Sequence, residues 1–311
     1  MNPHRLSDLP AEVFLILRDA FFDASGNSVP YPLREKRNTQ DDPFDEYVHN
    51  LLVAGLPADA RALKAPGPLI TPDLIVLRPE MCDGRSRLQL GSDLTRIFGV
   101  EVKKLERTPG GGIARASGMD YNTTPPCGTV RVYGADNLPL DIRGFYLFVC
   151  QEPVVELATL LGGQPGGGRY RLSALVLCDG NLLNSDFDLY LSIVGARTKA
   201  IGLGTFGDGA NRNRPMLIFT NPLGIAELGC TVTLLHAREN LHHEVPQLRF
   251  AGTISRTPKH AGLQTFHCYR LNSDLPEPYT PFQLVDPFPV PVRSERTTPR
   301  GRFRINVRPG D

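Results

Sequence analysis

Several apolar runs in this chain are only four to seven residues long, and each is bounded by polar residues, glycine or proline. Such runs are too short for ordinary helices but are typical of strands that are covered on both faces. The 30 glycines and 28 prolines among 311 residues predict many turns, long loops and few long helices. The predicted strands cover residues 74–77, 97–103, 129–133, 145–150, 172–178, 216–220 and 231–235.

Two helices are predicted ahead of these strands, the first over about residues 7–23. The second has clearer boundaries, since Asp42 is a suitable cap, Pro43 suits the first helical position and Gly55 ends the pattern. Two acids in its first turn favour the positive end of the helix dipole, Asp45 and Glu46. A third helix is predicted at residues 186–194. Helices followed by strands with short helices predict a mixed α/β fold, with a central mixed β-sheet flanked by helices.

The charge balance excludes one class of nucleic-acid binder. Lysine and arginine number 34, aspartate and glutamate number 33, and the formal net charge is +1. A uniformly basic binder is thereby excluded, whereas a nuclease that confines its positive charge to one cleft is not.

The cysteines and the hydropathy pattern favour a reduced environment. The six cysteines include no CxxC pair, which argues against a zinc ribbon, a thioredoxin-type site and a secreted disulfide scaffold. The first twenty residues are too charged for a signal peptide, and no apolar run reaches the roughly 18 residues of a membrane span. We therefore expect a soluble, cytoplasmic protein.

Two acids and a lysine stand out beside or within the predicted strands. Asp73 directly precedes the run 74–77, and Glu101 and Lys103 lie within the run 97–103. Because side chains alternate along a strand, Glu101 and Lys103 should share one face while the valines beside them share the other. An acid and a lysine on the same face of an otherwise apolar strand indicate that this face lines a cleft. The alternative is a plain ion-paired strand face, with Asp73 merely beginning a strand.

Pro72-Asp73 followed by Glu101-x-Lys103 resembles the motif of the PD-(D/E)xK nucleases, and of type II restriction endonucleases in particular. The resemblance covers about residues 42–104. It implies a restriction-endonuclease-like core and a single endonuclease domain over residues 1–311. That domain would have its catalytic core at about 42–160, while residues 165–311 would complete the sheet and carry recognition and dimerisation elements.

The resemblance also implies a catalytic group that binds Mg²⁺, with Mn²⁺ as a substitute. Asp73, Glu101 and the backbone carbonyl of Val102 would be ligands, because Mg²⁺ prefers oxygen. Glu46 would supply a further acid from the second helix and hold a second metal or its water shell. Lys103 would orient the attacking water or help to deprotonate it, and would neutralise the phosphate.

The activity that this resemblance implies is sequence-specific cleavage of double-stranded DNA that leaves 5′-phosphate ends. A homodimer would match a palindromic site, and a cognate DNA methyltransferase is expected as a neighbouring gene rather than as a bound partner. Two alternatives remain open. One is a structure-selective repair or recombination nuclease on the same core, and the other is a catalytically inactive DNA-binding protein.

Two segments are rich in the residue types that contact DNA, and each has an ordinary loop as its alternative. Arginine, lysine and asparagine side chains contact phosphates and base edges. The first segment follows Lys103 and contains the candidates Lys104, Arg107, Arg115, Asp120, Asn122 and Arg131. The second contains Arg197, Lys199, Arg212, Asn213 and Arg214.

The C-terminal residues predict an edge strand with one apolar and one basic face. Phe303, Ile305 and Val307 alternate with Arg302, Arg304, Asn306 and Arg308. The basic face would either grip phosphates or protect an open sheet edge from aggregation.

Overall fold

The computed structural model describes residues 6–37, 41–67, 70–109, 113–116, 128–154, 168–182, 232–256, 262–271 and 302–310. Within these ranges the helices are α1 (Leu9–Phe21), α2 (Pro43–Gly55), α3 (Pro79–Cys82) and α4 (Arg87–Gly91), with a 3₁₀ turn at Leu241–His243. The strands are β1 (Tyr31–Leu33), β2 (Arg61–Lys64), β3 (Leu74–Leu77), β4 (Ile97–Arg107), β5 (Ile113–Ala116), β6 (Thr129–Tyr133), β7 (Pro139–Pro153), β8 (Gly168–Asp179), β9 (Val232–His236), β10 (Leu248–Arg256) and β11 (Gln264–Leu271).

The eleven described strands form one mixed sheet. Its main path runs β10-β11-β9-β8-β7-β4-β3-β2, while β1 pairs with β8, β5 with β4 and β6 with β7. The pairs β4–β7 and β8–β9 are parallel, and the other pairs are antiparallel. The predicted mixed α/β fold with a central mixed sheet is confirmed.

The two predicted N-terminal helices are confirmed, and side-chain caps define where they begin. Asp8 accepts a hydrogen bond from the backbone N–H of Ala11 at 3.1 Å, and Asp42 accepts one from Phe44 at 3.0 Å. These bonds satisfy N–H groups that have no partner inside a helix. The second helix therefore begins at the cap that the sequence predicts, and the first begins within the predicted range.

The strand predictions are accurate in the sheet centre and incomplete at its margins. The run 74–77 is strand β3, but β4 continues past Lys103 to Arg107. Five described strands were not predicted, namely β1, β2, β5, β10 and β11. Of these, β2 and β10 are the two ends of the main path, and they carry mixed polar and apolar residues instead of a short apolar run. The predicted strand at 216–220 and the predicted helix at 186–194 lie outside the described residues.

Apolar clusters cover the two faces of the sheet around β3 and β4. On one face, α1 and α2 pack against the side chains of Leu74, Val76 and Val100. On the other, Ile75 and Ile97 pack with β6, the first residues of β7 and the C-terminal segment. This division leaves the point where β3 begins, and the middle of β4, between the two clusters. None of the described helices is long and apolar enough to cross a membrane.

Candidate active site

The pairing of β3 with β4 places Asp73 opposite Glu101. The antiparallel register pairs Leu74 with Val100, so the residue before Leu74 faces the residue after Val100. Asp73 Oδ2 accepts a hydrogen bond from the N–H of Val102 at 2.7 Å, so the side chain of the residue just before β3 is attached to the backbone of β4. The carboxyl group of Asp73 is thus held at the edge of β4 beside Glu101.

Gly99 explains how the chain before Asp73 approaches β4 so closely. A Cβ at this position would lie 3.0 Å from Pro72 Cγ and 2.6 Å from Val130 Cγ2. Both contacts are shorter than ordinary van der Waals separations. The absence of a side chain at Gly99 therefore lets Pro72 and β6 pack on β4, two residues before Glu101.

Glu101 and Lys103 lie on the same face of β4, as the alternation predicts. They are 4% and 6% exposed, and Lys103 Nζ donates to Glu101 Oε1 at 2.8 Å. The second carboxylate oxygen, Glu101 Oε2, is buried without a hydrogen-bond partner. A buried carboxylate oxygen without a partner is energetically unfavourable, so this atom is an acceptor open to a proton donor or a cation.

The carboxyl groups of Asp45, Asp73 and Glu101 repel one another electrostatically. Burial, followed by the charges of Glu101 and Asp45, raises the pKa of Asp73 well above its usual value, although Lys103 and the Val102 N–H act in the opposite direction. Asp73 and Asp45 each retain some solvent-accessible surface, while Glu101 and Lys103 form the buried base of the group. The excess of negative charge favours binding of a cation.

Lys103 keeps its proton in this environment. Burial alone lowers the pKa of its amine, but the Glu101 and Asp73 carboxylates outweigh that effect, and the pKa is raised above the ordinary value. Lys103 is therefore an ammonium group at neutral pH, which donates hydrogen bonds and does not accept a proton.

The acid of α2 that influences the carboxyl of Asp73 is Asp45, whereas the sequence predicts Glu46. The Glu46 side chain pairs with Arg34, which lowers the pKa of its carboxyl. Asp45 precedes the buried Val48 and Leu52 by three and seven residues, so it lies on the inward stripe of the helix. Those two spacings were the signal in the sequence that distinguishes Asp45 from its neighbour.

Burial and the neighbouring Asp42 carboxylate raise the pKa of Asp45 from 3.8 to about 7. Since the folded protein holds this proton more tightly than the unfolded chain, the group lowers stability as pH rises from about 4 to 7. We expect Asp45→Asn to leave the free energy of unfolding unchanged near pH 4 and to raise it by up to roughly 4 kcal/mol above pH 7. Urea unfolding in EDTA across this pH range measures the difference.

The control for this prediction is Glu46→Gln, which removes the adjacent carboxylate of the same helix. Because the pKa of Glu46 is lowered rather than raised, that variant should not gain stability with rising pH. An Asp45→Asn variant whose advantage over the wild type stays constant from pH 4 to pH 8 would contradict the raised pKa of Asp45.

Lys104 does not face outward as a DNA contact, and this prediction is corrected. It lies on the opposite face of β4 from Lys103 and is only 4% exposed. Its ammonium group is 2.9 Å from both Asp42 Oδ1 and Glu106 Oε1 and 5.6 Å from the centre of the Phe44 ring. These contacts tie α2 to β4, so Lys104 has a structural role.

The other predicted DNA contacts fall into three groups. Arg107 is partly buried, with its Nε 3.3 Å from Cys150 Sγ, whereas Arg131 is exposed and forms a two-point ion pair with Asp141 at 2.7 and 2.8 Å. Arg115 lies in β5, and its side chain is outside the description. The remaining candidates lie outside the described residues, namely Asp120, Asn122, Arg197, Lys199, Arg212, Asn213 and Arg214.

The residues that fit a divalent cation are Asp73, Glu101 and the carbonyl of Val102. A strand residue directs its N–H and C=O to the same side, so the Val102 carbonyl lies at the edge of β4 where Asp73 accepts the N–H. Within the described ranges, no group of three or more His, Cys, Asp or Glu side chains is arranged to hold a metal ion. Two carboxylates with waters are nonetheless a normal protein environment for Mg²⁺, and the partnerless Glu101 Oε2 supplies a free acceptor.

Comparison of the sequence with protein-family models gives no match, and comparison with curated proteins gives none either.

Proposed function

We propose that this protein is a Mg²⁺-dependent endonuclease of double-stranded DNA, of the type II restriction class that its motif resembles. The observation that carries the proposal is the partnerless buried oxygen of Glu101, held beside Asp73 and a protonated lysine. A plain ion-paired strand face does not account for this arrangement. Asp73 would add no stability there, because burial and the acids around it raise the pKa of its carboxyl.

Each side chain of the group has a distinct task in phosphodiester hydrolysis. Asp73 and Glu101, with the Val102 carbonyl, hold the cation, and Asp45 takes the place that the sequence analysis gave to Glu46. The bound cation supplies Lewis-acid stabilisation of the phosphate and a more acidic water. Lys103 donates hydrogen bonds to the attacking water and balances charge on the phosphate. Its raised pKa supports orientation over deprotonation of that water.

The remaining parts of the proposal follow from the resemblance. Cleavage leaves 5′-phosphate ends, Mn²⁺ replaces Mg²⁺, and a homodimer places one such group on each DNA strand. The enzyme acts in the cytoplasm of a prokaryotic cell that also encodes a DNA methyltransferase of the same specificity.

Incubation with unmethylated phage DNA and Mg²⁺, followed by sequencing of the fragment ends, tests this function. We expect discrete fragments that share one short sequence at their 5′-phosphorylated ends, and no cleavage in EDTA. Cleavage without a common sequence would identify a structure-selective nuclease instead. Specific binding without any cleavage, in either Mg²⁺ or Mn²⁺, would identify an inactive DNA-binding protein.

A further inference from the structure

The C-terminal segment is fixed against the sheet as an additional strand beside β6. The N–H of Tyr133 donates to the carbonyl of Phe303 at 2.8 Å, and the N–H of Ile305 donates to the carbonyl of Tyr133 at 2.9 Å. The side chains of Phe303, Ile305 and Val307 are buried in the cluster beneath β6. The alternation predicted from the sequence is therefore present, and the backbone of this segment is held in place.

Alternation turns the arginines of this segment outward, next to further arginines of the same layer. Arg302 and Arg304 are exposed, and the Arg302 guanidinium lies 4.7 Å from the centre of the Tyr133 ring. β6 contributes the exposed Arg131, and the paired start of β7 contributes Arg143. We call these four residues the arginine face.

The acids near the arginine face leave two of its members unneutralised. Arg131 pairs with Asp141, and Arg143 pairs with the buried Asp179. Within the ranges that the structure describes, no carboxylate pairs with Arg302 or Arg304. The face thus carries local positive charge in a chain whose net charge is only +1.

The charge of Arg302 and Arg304 alone would also suit protection of a sheet edge. The guanidinium groups of the arginine face nevertheless extend over three neighbouring strands, since Arg131 and Arg143 lie beside this segment, and edge protection does not require that extent. Arginine also binds phosphate through two parallel hydrogen bonds. A broad arginine surface on a fixed backbone therefore favours contact with a phosphate backbone.

The arginine face lies on the side of the main sheet that carries Glu101. Val130 of β6 packs over Gly99, which shares a face of β4 with Glu101. Arg131 pairs in register with Asp141, and Glu101 pairs with Tyr146 five residues farther along β7. At a rise of about 3.3 Å per residue, Arg131 and Glu101 are separated by about 17 Å along the strand.

We propose that the arginine face binds the phosphate backbone of duplex DNA to one side of the catalytic group. This inference rests on the proposed nuclease function for its choice of DNA. The separation of about 17 Å corresponds to about five base pairs of B-form DNA. The contacts position the duplex without reading its sequence.

The test compares Arg302→Ala/Arg304→Ala with a control of equal charge loss, Arg61→Ala/Arg249→Ala, which removes exposed arginines of β2 and β10. Binding to duplex DNA is measured in EDTA over a range of salt concentrations, so that cleavage plays no part. We expect the affinity of the first variant to fall roughly tenfold or more, and the slope of log K against log salt to decrease by nearly 2. The control should stay close to the wild type, and Arg302→Lys/Arg304→Lys should keep the wild-type slope because both positive charges remain.

Equal affinities and slopes for the two alanine variants would overturn the inference, and so would equally tight binding of polyglutamate by the wild type. Failure of the nuclease proposal gives a different result, because an uncleaved duplex would still be bound through Arg302 and Arg304. For an active enzyme, phosphate-ethylation interference should show contacts to one side of the cut, and these should disappear in Arg302→Ala/Arg304→Ala.

Discussion

Asp73→Asn is expected to abolish Mg²⁺-dependent DNA cleavage while making the metal-free protein more stable at pH 8. The activity is lost because an amide is a poor ligand for a divalent cation, and loss of several kcal/mol of transition-state stabilisation reduces the rate by about three orders of magnitude or more. Stability should rise because ionisation of Asp73 is unfavourable beside Glu101 and Asp45. The amide oxygen still accepts the hydrogen bond from Val102.

Loss of cleavage together with a gain in stability would show that Asp73→Asn lacks a metal ligand and is not misfolded. Cleavage rates and the unfolding temperature with and without Mg²⁺ measure both. Wild-type protein should gain stability on addition of Mg²⁺ because the folded state alone binds the ion, whereas Asp73→Asn should not. Asp19→Asn, which removes an exposed carboxylate of α1, is the matched control. Wild-type cleavage by Asp73→Asn would show that the assigned site is wrong.

Lys103→Met is expected to destabilise the protein strongly in addition to abolishing cleavage. Lys103 is the buried partner of Glu101, and its removal leaves three carboxyl groups without the central positive charge. Breaking a buried ion pair from one side typically lowers the free energy of unfolding by about 3–5 kcal/mol. Specific DNA binding should survive at temperatures where the variant remains folded, since other residues make the DNA contacts.

The double variant Glu101→Gln/Lys103→Met distinguishes this cause from a general packing defect. It removes both charges, so it should recover most of the stability that Lys103→Met loses, while remaining inactive. Chemical unfolding of the wild type, both single variants and the double variant gives the coupling energy directly. If the double variant is no more stable than Lys103→Met, the broken ion pair is not the cause of the lowered free energy of unfolding.

The sequence predicts Glu46 as the acid from α2, whereas in the structure Glu46 pairs with Arg34 and Asp45 is the acid that influences Asp73. The capping residues correctly predicted where α2 begins and ends, and they identified an acidic first turn. Choosing between adjacent acids required the rotation of the helix about its axis, in which neighbouring residues differ by about 100°. The buried positions of Val48 and Leu52 define that rotation, and they place Asp45 inward.

Lys104 was misassigned for a related reason. Strand alternation correctly separates Lys103 from Lys104, but it does not say which face meets solvent. The packing of α2 covers the Lys104 side and brings Asp42 within 2.9 Å of its ammonium group. Asp42 is 62 residues away in the chain, so no local pattern reveals the contact.

The sequence alone determined the features that depend on neighbours a few residues apart. These are the boundaries of α2, the short buried strands, and the common face of Glu101 and Lys103, because local hydrogen bonding and side-chain periodicity act over such distances. Only the tertiary structure decided which acids meet, because the β3–β4 register and the rotation of α2 arise from packing between distant segments. The same packing made Lys104 structural and left the C-terminal arginines exposed. The short apolar runs predict the strands of the sheet, whereas the pairing of β3 with β4 and the packing of α2 determine which side chains form the candidate site.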